Sequence, residues 1–161
     1  MAKYLIFTFL FFFLGCEINS QQIIKPEKFN FDEIKFNTVT KKLIYDDFEE
    51  NSDLNDMKKI INYWYDNKIK TNGFEGSLDV KIKKVDIFKV KETEYFKFSI
   101  DLSIEFIETT KVSNSSKIYI INASEYGEIQ GNFSIKDQEN LALNIMHQGL
   151  KSINKELIKI N

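Results

Sequence analysis

Two side chains stand out for their chemistry, because this chain of 161 residues has one cysteine and one histidine. Zinc hydrolysis needs a cluster of His, Cys or carboxylate ligands, and a Ser–His–Asp site would need His147 as its base. His147 stands beside Met146 in a predicted helix, and the sequence has neither a Gly-x-Ser-x-Gly elbow nor a glycine-rich phosphate loop. We therefore interpret His147 as a surface or rim histidine, and we expect no metal, no cofactor and no catalytic residue.

Paired carboxylates are the remaining candidates for acid–base chemistry. They occur at Asp46-Asp47, Glu49-Glu50 and Asp53/Asp56. Glycoside hydrolysis needs two carboxyl groups held across a cleft. These pairs fall instead in a predicted loop and at a predicted helix start, where acids favour solubility and the helix dipole. We expect that the protein is not an enzyme.

Cys16 has the sequence context of an acylated cysteine. Lys3 precedes an apolar run at residues 4–14, and Gly15 separates this run from Cys16. A positive residue, a short apolar stretch and a small residue are the parts of a secretory signal. A transmembrane helix needs about 20 apolar residues, so this run indicates a signal rather than a membrane span.

The end of this signal indicates lipid attachment. Residues 13–16, Phe-Leu-Gly-Cys, resemble a lipobox, although Phe13 stands where leucine is usual. We predict that residues 1–15 are removed as a lipoprotein signal peptide and that Cys16 carries a diacylglyceryl group. The alternative is an ordinary signal peptide followed by an incidental cysteine.

The residue after Cys16 bears on location. It is Glu17, so the aspartate that retains some lipoproteins in the inner membrane is absent. We expect a lipid-anchored protein of the bacterial cell envelope, held by Cys16 in the outer membrane and facing the periplasm. No second cysteine is available for a disulfide, so stability must come from a packed core.

The charged residues argue against nucleic acid as a partner. All 22 basic residues are lysines, and 24 acidic residues give a net charge of −2. Arginine, whose planar fork is preferred for phosphates and base edges, is absent from the sequence. The partners that we expect are membrane lipid, through acylated Cys16, and an envelope protein.

The chain after the signal divides into a tether and one domain. Residues 16–35 are polar, contain the single proline and are predicted to form a flexible tether, whereas residues 36–161 are predicted to form the domain. Residues 36–45 predict a first strand. Apolar residues then recur at helical spacing up to Ile69, and Asn72-Gly73 predicts a left-handed stop.

Three strands and a second helix follow. Apolar and polar residues alternate from Leu78 onward, and this alternation shifts by one position at Lys83-Lys84 before it continues. Such a shift predicts a β-bulge. Residues 96–106 alternate with period two, residues 117–129 predict another strand, and Ser134 begins the last helix. The order strand, helix, three strands, helix predicts an α+β two-layer sandwich. It has a four-stranded, mainly antiparallel sheet with both helices on one face.

Three consecutive aromatic residues lie in the first predicted helix. Trp64 falls on the apolar stripe and is expected in the core. Its neighbour Tyr63 should point elsewhere and is a candidate interface residue, since tyrosine is enriched at interfaces. The alternative is that Tyr63 belongs to the core or to an ordinary surface.

Several of these motifs together resemble uncharacterised envelope lipoproteins of alphaproteobacteria. The architecture is also similar to the lipopolysaccharide-assembly lipoprotein LptE and to auxiliary lipoproteins of envelope transport systems. The resemblance implies no catalytic residues. It is carried by Trp64, Gly73, Gly76, Leu78-x-Val-x-Ile82, Ser134-x-x-Asp137 and Met146-x-x-x-Leu150-x-x-x-Asn154-x-Glu156-Leu157.

The favoured function is therefore a non-enzymatic one, structural or partner-binding, in envelope assembly or transport. A second hypothesis is a lipid or glycolipid binder that uses a groove between the helices and the sheet. An open apolar groove would support the second hypothesis, and a solid core would contradict it. An enzyme is the third hypothesis, and it would need a cleft with convergent polar groups.

Overall fold

The computed structural model describes residue 25 and residues 28–46, 52–110 and 115–160. Within this part of the chain, six strands and two helices form. In chain order they are β1 (Ile34–Phe36), β2 (Thr40–Tyr45), α1 (Ser52–Lys68), β3 (Ile69–Thr71), β4 (Ser77–Lys91), β5 (Tyr95–Thr110), β6 (Ser115–Gln130) and α2 (Ile135–Ile160).

Four strands form one mixed sheet in the order β2-β4-β5-β6. The ladder between β2 and β4 is parallel, and the other two ladders are antiparallel. The predicted four-stranded, mainly antiparallel sheet is therefore confirmed. The register between β4 and β5 shifts between Ile82 and Lys84, which confirms the predicted bulge.

One face of this sheet carries the core, because period-two alternation sends every second side chain of β5 to that face. All six of the apolar residues predicted to share it are buried: Phe96, Phe98, Ile100, Leu102, Ile104 and Phe106. Both helices bury their apolar stripes against it. Trp64 of α1 meets Phe106 edge-on, with ring centroids 6.3 Å apart. The predicted α+β two-layer sandwich is confirmed.

The predicted first strand, residues 36–45, is divided in the structure. Residues 34–36 form β1 and residues 40–45 form β2, which belong to different sheets. α1 ends at Lys68, before the predicted stop, because Ile69 leaves the helix and pairs with Ile34 in a small parallel β1-β3 sheet. Ile69 is fully buried, as the apolar pattern predicts, but it lies in a strand and not in the helix.

The domain also begins before the predicted boundary at residue 36. Phe31 and Ile34 are each only 3% exposed, so residues 28–35 are not a free tether. The ring of Phe31 lies against His147 of α2, and Ile34 pairs with Ile69 directly after α1. The segment therefore bridges the two helices and contributes to the core. The predicted signal peptide and Cys16 lie outside the described residues.

Candidate interaction site

The connection from β3 to β4 presents an aromatic side chain to solvent. This connection, residues 72–76, is called here the Phe74 loop. Phe74 is 99% exposed, whereas Phe36, Phe98 and Phe106 are completely buried. A wholly exposed phenylalanine side chain contributes almost no buried apolar surface to the fold of its own chain.

Backbone hydrogen bonds fix the Phe74 loop to the segment that joins β1 and β2. The Asn72 N–H donates to the Phe36 carbonyl across 3.1 Å, and the Gly73 N–H donates to the Thr38 carbonyl across 3.0 Å. In return, the Val39 N–H donates to the Gly76 carbonyl across 3.3 Å. Both ends of the loop are thus attached to the same neighbouring segment.

Two glycines make this attachment sterically feasible. A Cβ atom on Gly73 would lie 2.4 Å from the Asn37 carbonyl carbon, so only glycine allows the two backbones to approach this closely. Gly76 has a φ of 82°, in the left-handed region. The left-handed stop predicted at Asn72-Gly73 is not found at Gly73, which instead allows the close approach, and Gly76 supplies the left-handed turn.

A shallow depression lies beside the exposed ring, and its wall includes Val39, half of whose surface is exposed. Its groups offer apolar contact, hydroxyls and one carboxylate, a combination that suits binding of another surface. The lining residues are Val39, Thr40, Phe74, Glu75, Gly76, Ser77 and Thr109.

The residues predicted for the site lie elsewhere. Tyr63 is half-buried on α1, where its carbonyl accepts a hydrogen bond from the Asn67 side chain across 2.8 Å, and it does not line this depression. Its role at an interface stays a prediction, as does lipidation of Cys16. Trp64 is fully buried, as expected.

His147 occupies a half-buried position on α2 between two aromatic rings. Its imidazole stacks on Phe29 with centroids 4.7 Å apart and meets Phe31 edge-on at 5.0 Å. The buried Nε2 atom has no hydrogen-bond partner. Burial lowers the pKa of His147, and the positive charge of Lys151 lowers it further. A hydrogen bond with the Asn30 backbone raises this pKa but does not offset the two other effects.

The acidic residues considered for catalysis are engaged with lysines where the structure describes them. Asp46 pairs with Lys83 across 2.8 Å, and Asp53 of α1 pairs with Lys89 of β4. Asp47, Glu49 and Glu50 lie outside the described residues. In residues 28–46, 52–110 and 115–160, no three His, Cys, Asp or Glu side chains come together in a way that could hold a metal ion.

Large side chains occupy the space between the helices and the sheet in the described part of the chain. Phe36, Met57 and Trp64 are completely buried there. This packing disfavours a groove for lipid or glycolipid, and that hypothesis stays a prediction. Neither described helix has the length and apolar character to cross a membrane.

Sequence reasoning missed Phe74, because an apolar residue is expected in the core unless its surroundings show otherwise. The available signal was its place in Gly73-Phe74-Glu75-Gly76, where two glycines bracket an aromatic residue directly after a predicted helix. This pattern is typical of a tight connection whose side chains point outward.

Several solved bacterial proteins share a low structural similarity with this chain. The minor lipoprotein from Acinetobacter baumannii has 11% identity and a TM-score of 0.37, over 76% of this chain and 90% of its own. The rare lipoprotein B from Shewanella oneidensis has 6% identity and a TM-score of 0.40, over 76% and 92%. A putative neuraminyllactose-binding hemagglutinin homolog from Helicobacter pylori has 13% identity and a TM-score of 0.31, over 83% and 90%.

Two of these three structural neighbours are bacterial lipoproteins. No protein-family model and no curated protein matches the sequence. The resemblances to alphaproteobacterial lipoproteins and to LptE therefore stay predictions.

Proposed function

We propose that this protein is a non-enzymatic lipoprotein of the bacterial cell envelope that binds another envelope protein through the Phe74 loop. In this proposal Cys16 anchors the chain in the outer membrane, and the domain faces the periplasm. Its role is structural or partner-binding, in envelope assembly or transport. The observation that carries the binding role is the complete exposure of Phe74 on a loop held at both ends.

The anchor is supported by the sequence. The apolar run at residues 4–14, the small residue Gly15 and the single cysteine at position 16 follow one another in the order that lipidation requires. A lipoprotein cysteine with two or three acyl chains is held stably in a bilayer, because one chain alone gives only marginal binding.

The binding role is supported by the geometry of the Phe74 loop. Aromatic side chains, phenylalanine included, are enriched at protein interfaces, and burial of a phenylalanine contributes about 1.5–3 kcal/mol. A loop fixed by backbone hydrogen bonds loses little freedom on binding, so more of this contribution appears as affinity. Val39 and the hydroxyls of the depression extend the contact beyond the ring.

A photo-crosslinking experiment in the native host tests this proposal. The full chain is produced with p-benzoylphenylalanine in place of Phe74. Ile135, which is 72% exposed at the start of α2, is the matched control position. We expect a discrete protein adduct from position 74 that is absent from position 135.

Two results would contradict the proposal. The same set of adducts from both positions would mean that the Phe74 loop has no specific partner. A lipid adduct alone at position 74 would favour membrane or glycolipid contact at this loop over a protein partner.

A further inference from the structure

β6 is an edge strand of unusual length. It pairs with β5 from Ser115 to Gln130, and the register of this ladder has no shift. Among the described residues, no strand pairs with its other side. A long, regular edge exposes a row of backbone donors and acceptors that another strand can use.

The other free edges of the same sheet are protected against such pairing. β2 is six residues long and carries Lys41 and Lys42. β4 runs beyond its pairing with β2, and this free part begins at the bulge and carries Lys83, Lys84, Lys89 and Lys91. Lysines, bulges and short length are the usual means by which proteins block edge-to-edge association.

β6 has fewer of these protections than the other edges. It contains one lysine, Lys117, and neither a proline nor a bulge. Two large apolar side chains on its solvent-facing side, Ile118 and Ile120, are 58% and 60% exposed. The edges at β2 and at the free part of β4 are thus protected, whereas the longer edge at β6 can pair with another strand.

We propose that β6 forms an antiparallel pair with β6 of a second copy of this chain. The pair is centred on Ile121, so that Ile121 lies opposite Ile121 of the second copy. A two-fold axis perpendicular to the sheet relates the two strands, so the interface is isologous and both pairs of helices stay on one face. The result is one continuous sheet of eight strands. This inference does not depend on the proposed function, because it uses neither Cys16 nor the Phe74 loop.

Charge complementarity selects this register. Lys117 and Glu125 lie on the same face of β6, and centring on Ile121 places each opposite the other residue of the second copy. A shift by two residues in either direction separates these charges. The Ser152 hydroxyl donates to one oxygen of Glu125 across 2.7 Å, which holds this carboxylate at the strand for the incoming lysine.

The apolar residues of the solvent-facing side are covered in the same arrangement. Ile120 lies opposite Asn122 of the second copy, and the two copies of Ile120 are diagonal neighbours across the axis. Diagonal neighbours on one face are within reach of long side chains. Both the charged and the apolar features of β6 are therefore satisfied by another β6.

Disulfide trapping in native membranes tests the proposal with the full chain. In the Ile120→Cys/Asn122→Cys variant, the cysteine at position 120 lies opposite the cysteine at position 122 of the second copy. Phe88→Cys/Val90→Cys is the matched control, since these residues have the same spacing on the same face of the protected β4 edge. The wild-type chain, treated in the same way, shows whether Cys16 itself forms a disulfide between two copies.

We expect the β6 variant, after mild oxidation with copper–phenanthroline, to form a band of twice the chain mass, and we expect the control to stay monomeric. Monomer in both variants would overturn the proposal, and so would a crosslink of β6 to a different protein.

As a second measurement, Ile118→Lys/Ile120→Lys should convert dimer to monomer in analytical ultracentrifugation and leave the circular dichroism unchanged. A wild-type protein that sediments as a monomer would also contradict the proposal.

Discussion

The indole of Trp64 donates a hydrogen bond to the side-chain oxygen of Asn154 across 2.6 Å, and both side chains are buried. This bond joins α1 to α2 between residues that are 90 positions apart in the chain. Asn154 is only 1% exposed, so it has little access to water as an alternative partner. The bond therefore fixes how the two helices sit on the sheet.

Replacement of Asn154 by leucine should destabilise the protein. Asn154→Leu keeps the side-chain volume similar but leaves the indole N–H of Trp64 buried without a partner, which costs about 1–3 kcal/mol. Asn144→Leu, an exposed position on the same helix, is the control and should change stability by less than about 0.5 kcal/mol. Urea denaturation measures both, and equal effects would show that the buried bond is unimportant.

Replacement of Gly73 by alanine should displace the Phe74 loop. The new Cβ atom would lie 2.4 Å from the Asn37 carbonyl carbon, so one backbone must move. We expect a loss of stability of about 1–3 kcal/mol, as for other overpacked positions. The Phe74 photo-adduct should weaken in the same variant.

Gly131→Ala is the control for this experiment, because Gly131 has a φ of 81° and nothing within 4 Å of its added Cβ atom. It should cost only the strain of a left-handed alanine, about 1–2 kcal/mol, and should keep the photo-adduct. Retention of the adduct in Gly73→Ala would show that the close approach does not position Phe74.

The protein should lose stability as the pH falls through the ordinary pKa of histidine, about 6.5. Burial beside Phe29 and Phe31 lowers the pKa of His147, and Lys151 lowers it further. Between this lowered pKa and about 6.5 the unfolded chain binds a proton that the native protein does not, so the free energy of unfolding rises with pH in that window.

The measurement is the free energy of unfolding from pH 5 to pH 8 for the wild type and for His147→Phe. The variant keeps the ring stack on Phe29 but cannot take up a proton. The slope between pH 5 and pH 6.5 should be smaller in the variant. Identical slopes would mean that His147 has the same pKa in both states.

Lys41 should matter more for stability than its neighbour Lys42. The ammonium group of Lys41 donates to the carbonyls of Tyr65 and Ile69, each across 2.6 Å, at the end of α1. Lys41→Met removes both bonds and a favourable positive charge from a helix C-terminus, so we expect a loss of about 1–2 kcal/mol. Lys42→Met, at an exposed position, is the control in the same thermal denaturation assay, and an equal loss in both variants would contradict this role.

Local patterns in the sequence predicted much of the fold. The alternation along β5 identified its buried face, and the slip at Lys83-Lys84 identified the bulge. Ser134 indicated the start of the last helix, and in the structure α2 begins at Ile135 while the Ser134 N–H donates to the Asp137 carboxylate across 2.8 Å. Each of these features depends on residues that are close in the sequence.

The features that the sequence did not reveal depend on distant partners. β1 and β3 have three residues each, too few for a periodic signal, and they form because Ile34 and Ile69 meet in the folded chain. The N-terminal boundary was missed for the same reason, since the buried Phe31 packs against His147 of α2, at the other end of the chain. The attachment of the Phe74 loop depends on the close approach of Gly73 to Asn37, two residues that are distant in the sequence.

The identity of the mature N-terminus tests whether this domain is anchored to a membrane through Cys16. The measurement is mass spectrometry of the protein purified from the membrane fraction of its native host. We expect a chain that begins at Cys16 and carries a diacylglyceryl group on its thiol. A mature chain that begins elsewhere, or that has an unmodified Cys16, would contradict it.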